Sequence, residues 1–287
     1  MQICRSTQAI RDQVAGWRAD GQHIALVATM GALHDGHMRL LDHARRWLDA
    51  KGGGRIVASI FVNPTQFEQQ ADLEKYPRDE ENDLRLLREH GCDAVFMPTV
   101  QDIYRPGAQT HVEVAGLSKM LMGRLRPGHF RGMTTIVTKL FNIVQPDAST
   151  FGEKDYQQLT IVRQMVADLD IPVEILPVPT VREPDGLAMS SRNRRLATED
   201  RAAATVLSRA LDAAQAMVEQ GTTLPALRRE IRRILKAEKR GVIGSIDIRD
   251  AADLSRIDAI ERPVVILLAV RFAEVLLIDQ RVANPEG

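Results

Sequence analysis

The sequence predicts an α/β fold: a Rossmann-like parallel sheet with helices on both faces, followed by a smaller α+β C-terminal domain. Three observations carry this expectation. Short β-rich runs alternate with helical patterns through the first two thirds of the chain, the arrangement of a parallel sheet covered on both sides. Pro177, Pro179 and Pro184 then punctuate the chain. Beyond them two long helical patterns precede three late strands. At 287 residues there is chain enough for two cores. The expected division is 1–180 and 181–287, joined through the proline-rich hinge.

Each element has its own reason. The apolar run from Ile24 to Ala28 reads as a strand buried on both faces. A helix over 37–49, a strand over 55–62, a helix near 79–90 and a strand over 93–97 follow. The stretch 131–144 sets Met133, Ile136, Val137, Leu140, Phe141 and Val144 on one helical face, and Pro146 stops it. A strand around 149–151, a helix over 155–169 and a strand over 173–176 continue the alternation. The second domain reads as helices over 198–219 and 224–239 and strands near 244–249, 263–270 and 274–279.

Composition narrows the class. Lys and Arg number 38 and Asp and Glu 38, a balance that argues against a dedicated binder of nucleic acid or anionic membrane. The basic run from Arg228 to Arg240 lacks interleaved aromatics and reads as a solvated helix face. Two cysteines without metal-ligand spacing, no apolar leader and no membrane-length apolar run lead to the expectation of a soluble, cytoplasmic protein.

The most informative stretch is 29–37, Thr-Met-Gly-Ala-Leu-His-Asp-Gly-His, which ends a strand and opens a helix. Residues three apart on a helical start share a face, so His34 and His37 can address one ligand. Gly31 and Gly36 let the backbone approach it. A helix N-terminus favours an anion, most simply a nucleotide phosphate. The plainer alternative is that His34 caps the helix and His37 is a surface residue.

Four further segments carry chemistry. Asn63 and Gln66 follow the second strand and offer donor and acceptor together, which suits a substrate with hydroxyls and a carboxylate; an ordinary Asn-Pro turn is the alternative. In Gly152–Gln158, Lys154 suits a phosphate, Asp155 a helix cap and a ribose hydroxyl, and Gln158 faces the same way; a charged helix start with exposed amides is the alternative for each residue alone. Ser190, Ser191 and Arg192 suit a phosphate clamp just past the hinge, where a mobile loop could close, and an ordinary Ser-Ser-Arg loop is the alternative. A second basic segment, 126–132, enters a helix with the same ambiguity. Among the acids at 79–83, which the helix dipole alone explains, Asp83 is the candidate for Mg²⁺.

In this order and register the segments resemble the pantothenate synthetase (pantoate–β-alanine ligase) family over nearly the whole chain, most densely from Thr29 to Arg195. The resemblance implies a nucleotidylyltransferase-like domain with a smaller domain folding over the site, and a homodimer. It implies condensation of pantoate with β-alanine through an enzyme-bound pantoyl adenylate, with ATP as cofactor and Mg²⁺ beside it, giving pantothenate, AMP and pyrophosphate. By the same resemblance His34, His37 and Lys154 serve catalysis on the ATP phosphates, and Met30 lies near the reacting groups. Gly152 and Asp155 hold the ribose, Val181 and Met189 flank the adenine, and Ser190, Ser191 and Arg192 clamp the triphosphate. Gln66 and Gln158 hold pantoate with Asn63 nearby, and Asp83 helps hold the metal. Ala28 stands where the family commonly has proline and Asn82 where it has an acid; the second departure removes a metal ligand. Two rivals remain at this stage, a nucleotidylyltransferase that acts on a phosphorylated acceptor and a catalytically silent nucleotide binder.

Overall fold

The structure is a computed structural model that describes residues 1–67 and 73–285. Its described residues fall into two compact units, one holding Met1–Gly152 and Ile161–Val178, the other Glu153–Thr160 and the residues from Pro179 on.

The first unit is built on a six-stranded sheet in the order β1-β4-β3-β2-β5-β6. The strands are β1 (Gln2–Cys4), β2 (His23–Thr29), β3 (Gly54–Ile60), β4 (Ala94–Phe96), β5 (Ala148–Gly152) and β6 (Glu174–Val178). Every neighbouring pair is parallel. Ile24 to Val27, Ile56 to Ala58 and Ala94 to Phe96 are buried throughout, because helices cover both faces of a parallel sheet and leave no polar side to alternate with. On one face Ala25, Val27, Ile56 and Ala58 pack with Leu41, Ala44 and Leu48 of helix Asp35–Ala50 and with Leu84 and Leu87 of helix Glu80–Glu89. Helices Thr7–Ala19 and His129–Val144 pack on each other and on β2. The chain runs from β2 outward to β3 and β4, then returns to β5 on the other side of β2. The carboxyl ends of β2 and β5 therefore form the switch point where open α/β sheets bind ligands.

The expected face of the 131–144 stretch is buried as read, and the helix gains two residues at its start, beginning at His129. Strand β1 and helix Thr7–Ala19 were not among the expected elements; Ser6, whose hydroxyl accepts the Ala9 N–H at 3.2 Å, is their cap signal. Pro177, expected in the linker, instead lies inside β6 opposite Phe151. An edge strand tolerates proline because one side of it needs no ladder donor. Burial pushes the Cys92 thiol up to about 12.

The second unit carries a three-stranded antiparallel sheet, β7 (Gly241–Asp250), β8 (Val264–Phe272) and β9 (Val275–Ala283). Its core joins Leu207 and Leu211, Leu227, Ile231 and Leu235, and Ile248, Ile266, Leu268 and Phe272. The single helix expected over 198–219 is two, Thr198–Ala203 and Val206–Glu219. On helix Leu224–Ala237 only Leu227, Ile231 and Leu235 are buried, so Arg228, Arg229, Arg232 and Arg233 face solvent. The strip Glu153–Thr160 belongs to this unit; the Tyr156 hydroxyl donates to the Ala251 carbonyl at 2.7 Å. No described helix is long and apolar enough to cross a membrane.

Candidate active site

After β2 the chain makes a tight turn that needs left-handed backbone at Gly31 (φ 80°) and Ala32 (φ 52°). The turn is held from below. Asp83, from the first turn of helix Glu80–Glu89 and 1% exposed, accepts the main-chain N–H of Ala32 at 2.9 Å and of Leu33 at 2.7 Å. A Cβ at position 31 would come within 2.9 Å of the same carboxylate, which is why glycine stands there. Thr29 ties the turn to β3, donating to the Ser59 carbonyl at 2.7 Å and accepting from the Gly31 N–H at 3.2 Å. Met30 lies between these fixed points.

The turn delivers both histidines to one helix start. His34 is the N-cap of helix Asp35–Ala50, its Nδ1 accepting the Gly36 N–H at 3.1 Å, and the His34 N–H donates to Nδ1 of His37 at 3.3 Å. The ring centroids are 4.1 Å apart. An Nδ1 that accepts a main-chain N–H is unprotonated in the neutral ring, so each imidazole carries its proton on Nε2. Capping and pairing are thus one arrangement. The same backbone bonds that satisfy the helix end fix two Nε2–H donors side by side at its positive pole.

The segment after β3 is a 3₁₀ turn, Pro64–Gln66, capped by Asn63. Asn63 and Gln66 are buried, and Asn63 Nδ2 donates to Gln66 Oε1 at 2.9 Å and to the Gly132 carbonyl at 3.1 Å. Tyr104 donates to Asn63 Oδ1 at 2.9 Å, and burial raises its hydroxyl above the ordinary tyrosine range. The Gln66 carbonyl takes His129 Nδ1 at 3.0 Å and an Arg126 guanidinium nitrogen at 3.3 Å. The ambiguous basic segment 126–132 therefore anchors the Gln66 turn. Tyr104, Arg126 and His129 escaped sequence reasoning as partners of this turn, since their bonds to it span 39 to 63 residues.

In the second unit Lys154 lines a cleft with Ala188, Ser190, Arg192, Asn193 and Asp279. It lies in the 3₁₀ turn Glu153–Asp155, its Nζ 3.8 Å from Asp155, and Gln158 follows half-buried on helix Tyr156–Asp168. Val181 and Met189 are brought side by side, since the Met189 N–H donates to the Val181 carbonyl at 2.9 Å and Arg182 bridges Ala188 as in a narrow hairpin. Ser190 caps the 3₁₀ helix Ser191–Arg195. Asn193 holds that helix to the hairpin, donating to the Ala188 carbonyl at 3.1 Å and to Glu183 at 2.9 Å. Arg201 grips Glu183 at 2.6 Å and Asp185 at 2.7 Å, and its hydrogen bonds hold the Asp185 carboxyl below the usual range. Arg182 is paired with the buried Asp279 at 2.8 Å. Glu183, Arg201 and Asp279 carry no motif; the Arg201–Glu183 and Arg182–Asp279 pairs become visible only once the chain is folded.

The geometry gives Asp83 a structural part: each of its oxygens accepts a main-chain amide beneath the turn, and among the described residues no group of three His, Cys, Asp or Glu side chains is gathered for a metal. The carboxylate fits a loop anchor, and the acid is buried because its acceptors are used there.

A family model described as pantoate-beta-alanine ligase matches residues 2–282. Pantothenate synthetase of Bartonella henselae is 46% identical over 289 residues, all of both chains. A crystal structure of pantothenate synthetase from Thermus thermophilus superposes with a TM-score of 0.91 at 41% identity, over 98% of this chain and 99% of that one. A pantoate-beta-alanine ligase from Francisella tularensis, crystallised with beta-gamma ATP and beta-alanine, superposes at 0.80 with 31% identity, over 98% and 97% of the two chains.

Proposed function

The chain belongs to the pantoate-beta-alanine ligase family, and from that premise we propose that it makes pantothenate in two steps through a pantoyl adenylate. In the first, a pantoate carboxylate oxygen attacks the α-phosphorus of ATP; the bond to the bridging oxygen breaks and pyrophosphate leaves with its electron pair. In the second, the neutral amine of β-alanine attacks the acyl carbon, AMP leaves, and the nitrogen gives up its proton. No side-chain nucleophile is needed.

The observation that carries the reading is the His34–His37 pair at the head of helix Asp35–Ala50, by the sheet's switch point. An anion attacking a polyanionic nucleotide meets charge repulsion, so donors must stand where negative charge accumulates. Two Nε2–H groups at a helix N-terminus supply them. In this reading Lys154, Ser190, Ser191 and Arg192 hold the phosphates, Gly152 and Asp155 the ribose, and Val181 and Met189 the adenine, with Met30 beside the reacting groups. Gln66 and Gln158 hold pantoate. Mg²⁺ would enter on the triphosphate and needs no resident cage; Asp83 stays the proposed carboxylate to help hold it, beside its part in the turn. The family resemblance adds a cytoplasmic homodimer.

The deciding assay is exchange of labelled pyrophosphate into ATP with β-alanine left out. Exchange that requires pantoate and Mg²⁺ is expected. Exchange without pantoate, or pantothenate formation that releases ADP, would overturn the adenylate route.

A further inference from the structure

Asn63 sits between two main-chain groups whose hydrogen-bonding sense cannot be reversed. At one end its side chain meets the Thr65 N–H at 3.3 Å, a donor, so the atom there is oxygen. At the other end it meets the Gly132 carbonyl at 3.1 Å, an acceptor, so the atom there is the NH₂ nitrogen. Thr65 Oγ1 and the Tyr104 hydroxyl, each 2.9 Å from the same oxygen, add two more donors to the first end. Asn63 is therefore fixed in one orientation, and its second N–H faces Gln66 at 2.9 Å. Only an oxygen can accept it. The Gln66 amide is thereby held with Oε1 inward and its NH₂ group at the opposite end, away from the network.

From this we propose that Asn63, braced by Tyr104, is a positioning residue that sets the polarity of Gln66, so that Gln66 meets its substrate as a hydrogen-bond donor. The proposal rests on the reading of Gln66 as part of the pantoate pocket and deepens it. The group recognised is an oxygen acceptor, and a carboxylate is the best one, since a donor bonded to an ionised acceptor is held roughly twice as strongly as to a neutral one. An amide free to rotate would accept from a hydroxyl through its oxygen or donate to a carboxylate through its nitrogen. A locked one reads a single sign. Asn63, in this account, does not touch substrate.

The test is calorimetric titration of pantoate into enzyme loaded with a non-hydrolysable ATP analogue, for Gln66→Ala, Gln66→Glu, Asn63→Ala and the Asn63→Ala/Gln66→Ala double variant. The analogue is also titrated alone as the check on fold. Gln66→Ala is expected to weaken pantoate roughly 5- to 150-fold, the range for a buried partner left unpaired; no loss there would overturn the pocket assignment itself. Given that loss, Gln66→Glu should bind pantoate no better than Gln66→Ala, because it keeps the shape and inner oxygen but turns a charged acceptor toward the substrate. Wild-type affinity in Gln66→Glu would overturn the donor polarity. Asn63→Ala should weaken pantoate in the wild-type background and add nothing in the Gln66→Ala background. An equal loss in both backgrounds would mean that Asn63 acts on the substrate or the fold directly. If Asn63→Ala fails to fold, the Gln66→Glu comparison decides alone.

Discussion

Replacing one oxygen of Asp83 by an amide turns an acceptor facing a main-chain N–H into a donor facing it. Asp83→Asn is therefore expected to lose about 1–3 kcal/mol of stability and to slow pyrophosphate exchange, because the turn carrying Ala32 in left-handed backbone loses its support. Thermal melting and exchange over a Mg²⁺ series separate the two roles of this acid. A deficit that persists at saturating Mg²⁺ fits the anchor; full rescue by Mg²⁺ with an unchanged melting temperature would make Asp83 a metal ligand. The histidines were legible in the sequence because their geometry is local, three residues apart on one helix start. Asp83's role was not, since its partners lie 50 and 51 residues away and an acid in a first helical turn already has a sufficient explanation. Tyr104 was silent for the same reason, 41 residues from Asn63.

Helix His129–Val144 seats the Gln66 turn through a glycine. A Cβ at Gly132 would fall on the Thr65 carbonyl, so the helix and the 3₁₀ turn approach as closely as backbones allow. Gly132→Ala should cost about 1–3 kcal/mol as overpacking and weaken pantoate more than ATP. Urea melts and separate titrations of the two ligands test this; unchanged stability and binding would mean that the helix does not seat the turn. The parallel sheet itself was readable from its unbroken apolar strands, and helix 131–144 from its buried face. The elements that were missed or misjudged have weak signals. Strand β1 is three residues at an edge, the break at 204–205 is marked by no glycine or proline, and Pro177 is an exception that only an edge strand permits.

At the scale of the molecule the chain passes between the two units more than once, leaving the first after Gly152, re-entering it at Ile161 and leaving again after Val178. The strip Glu153–Thr160 thus takes its packing from residues far ahead of it, and nothing in its own sequence announces this. A fragment of residues 1–180 should leave the strip uncovered. Limited proteolysis is expected to cut it within 153–160 while the intact chain resists there, and equal protection in both would show that the strip is held without the second unit. The consequence reaches back to the ribosome. Tyr156 waits for Ala251, 95 residues later, which at translation rates of roughly 5–20 residues per second is an interval of about 5–20 s. During that interval the start of the helix, with Tyr156 and Leu159 on it, stands without the residues that cover it, and a chaperone has that long to meet it.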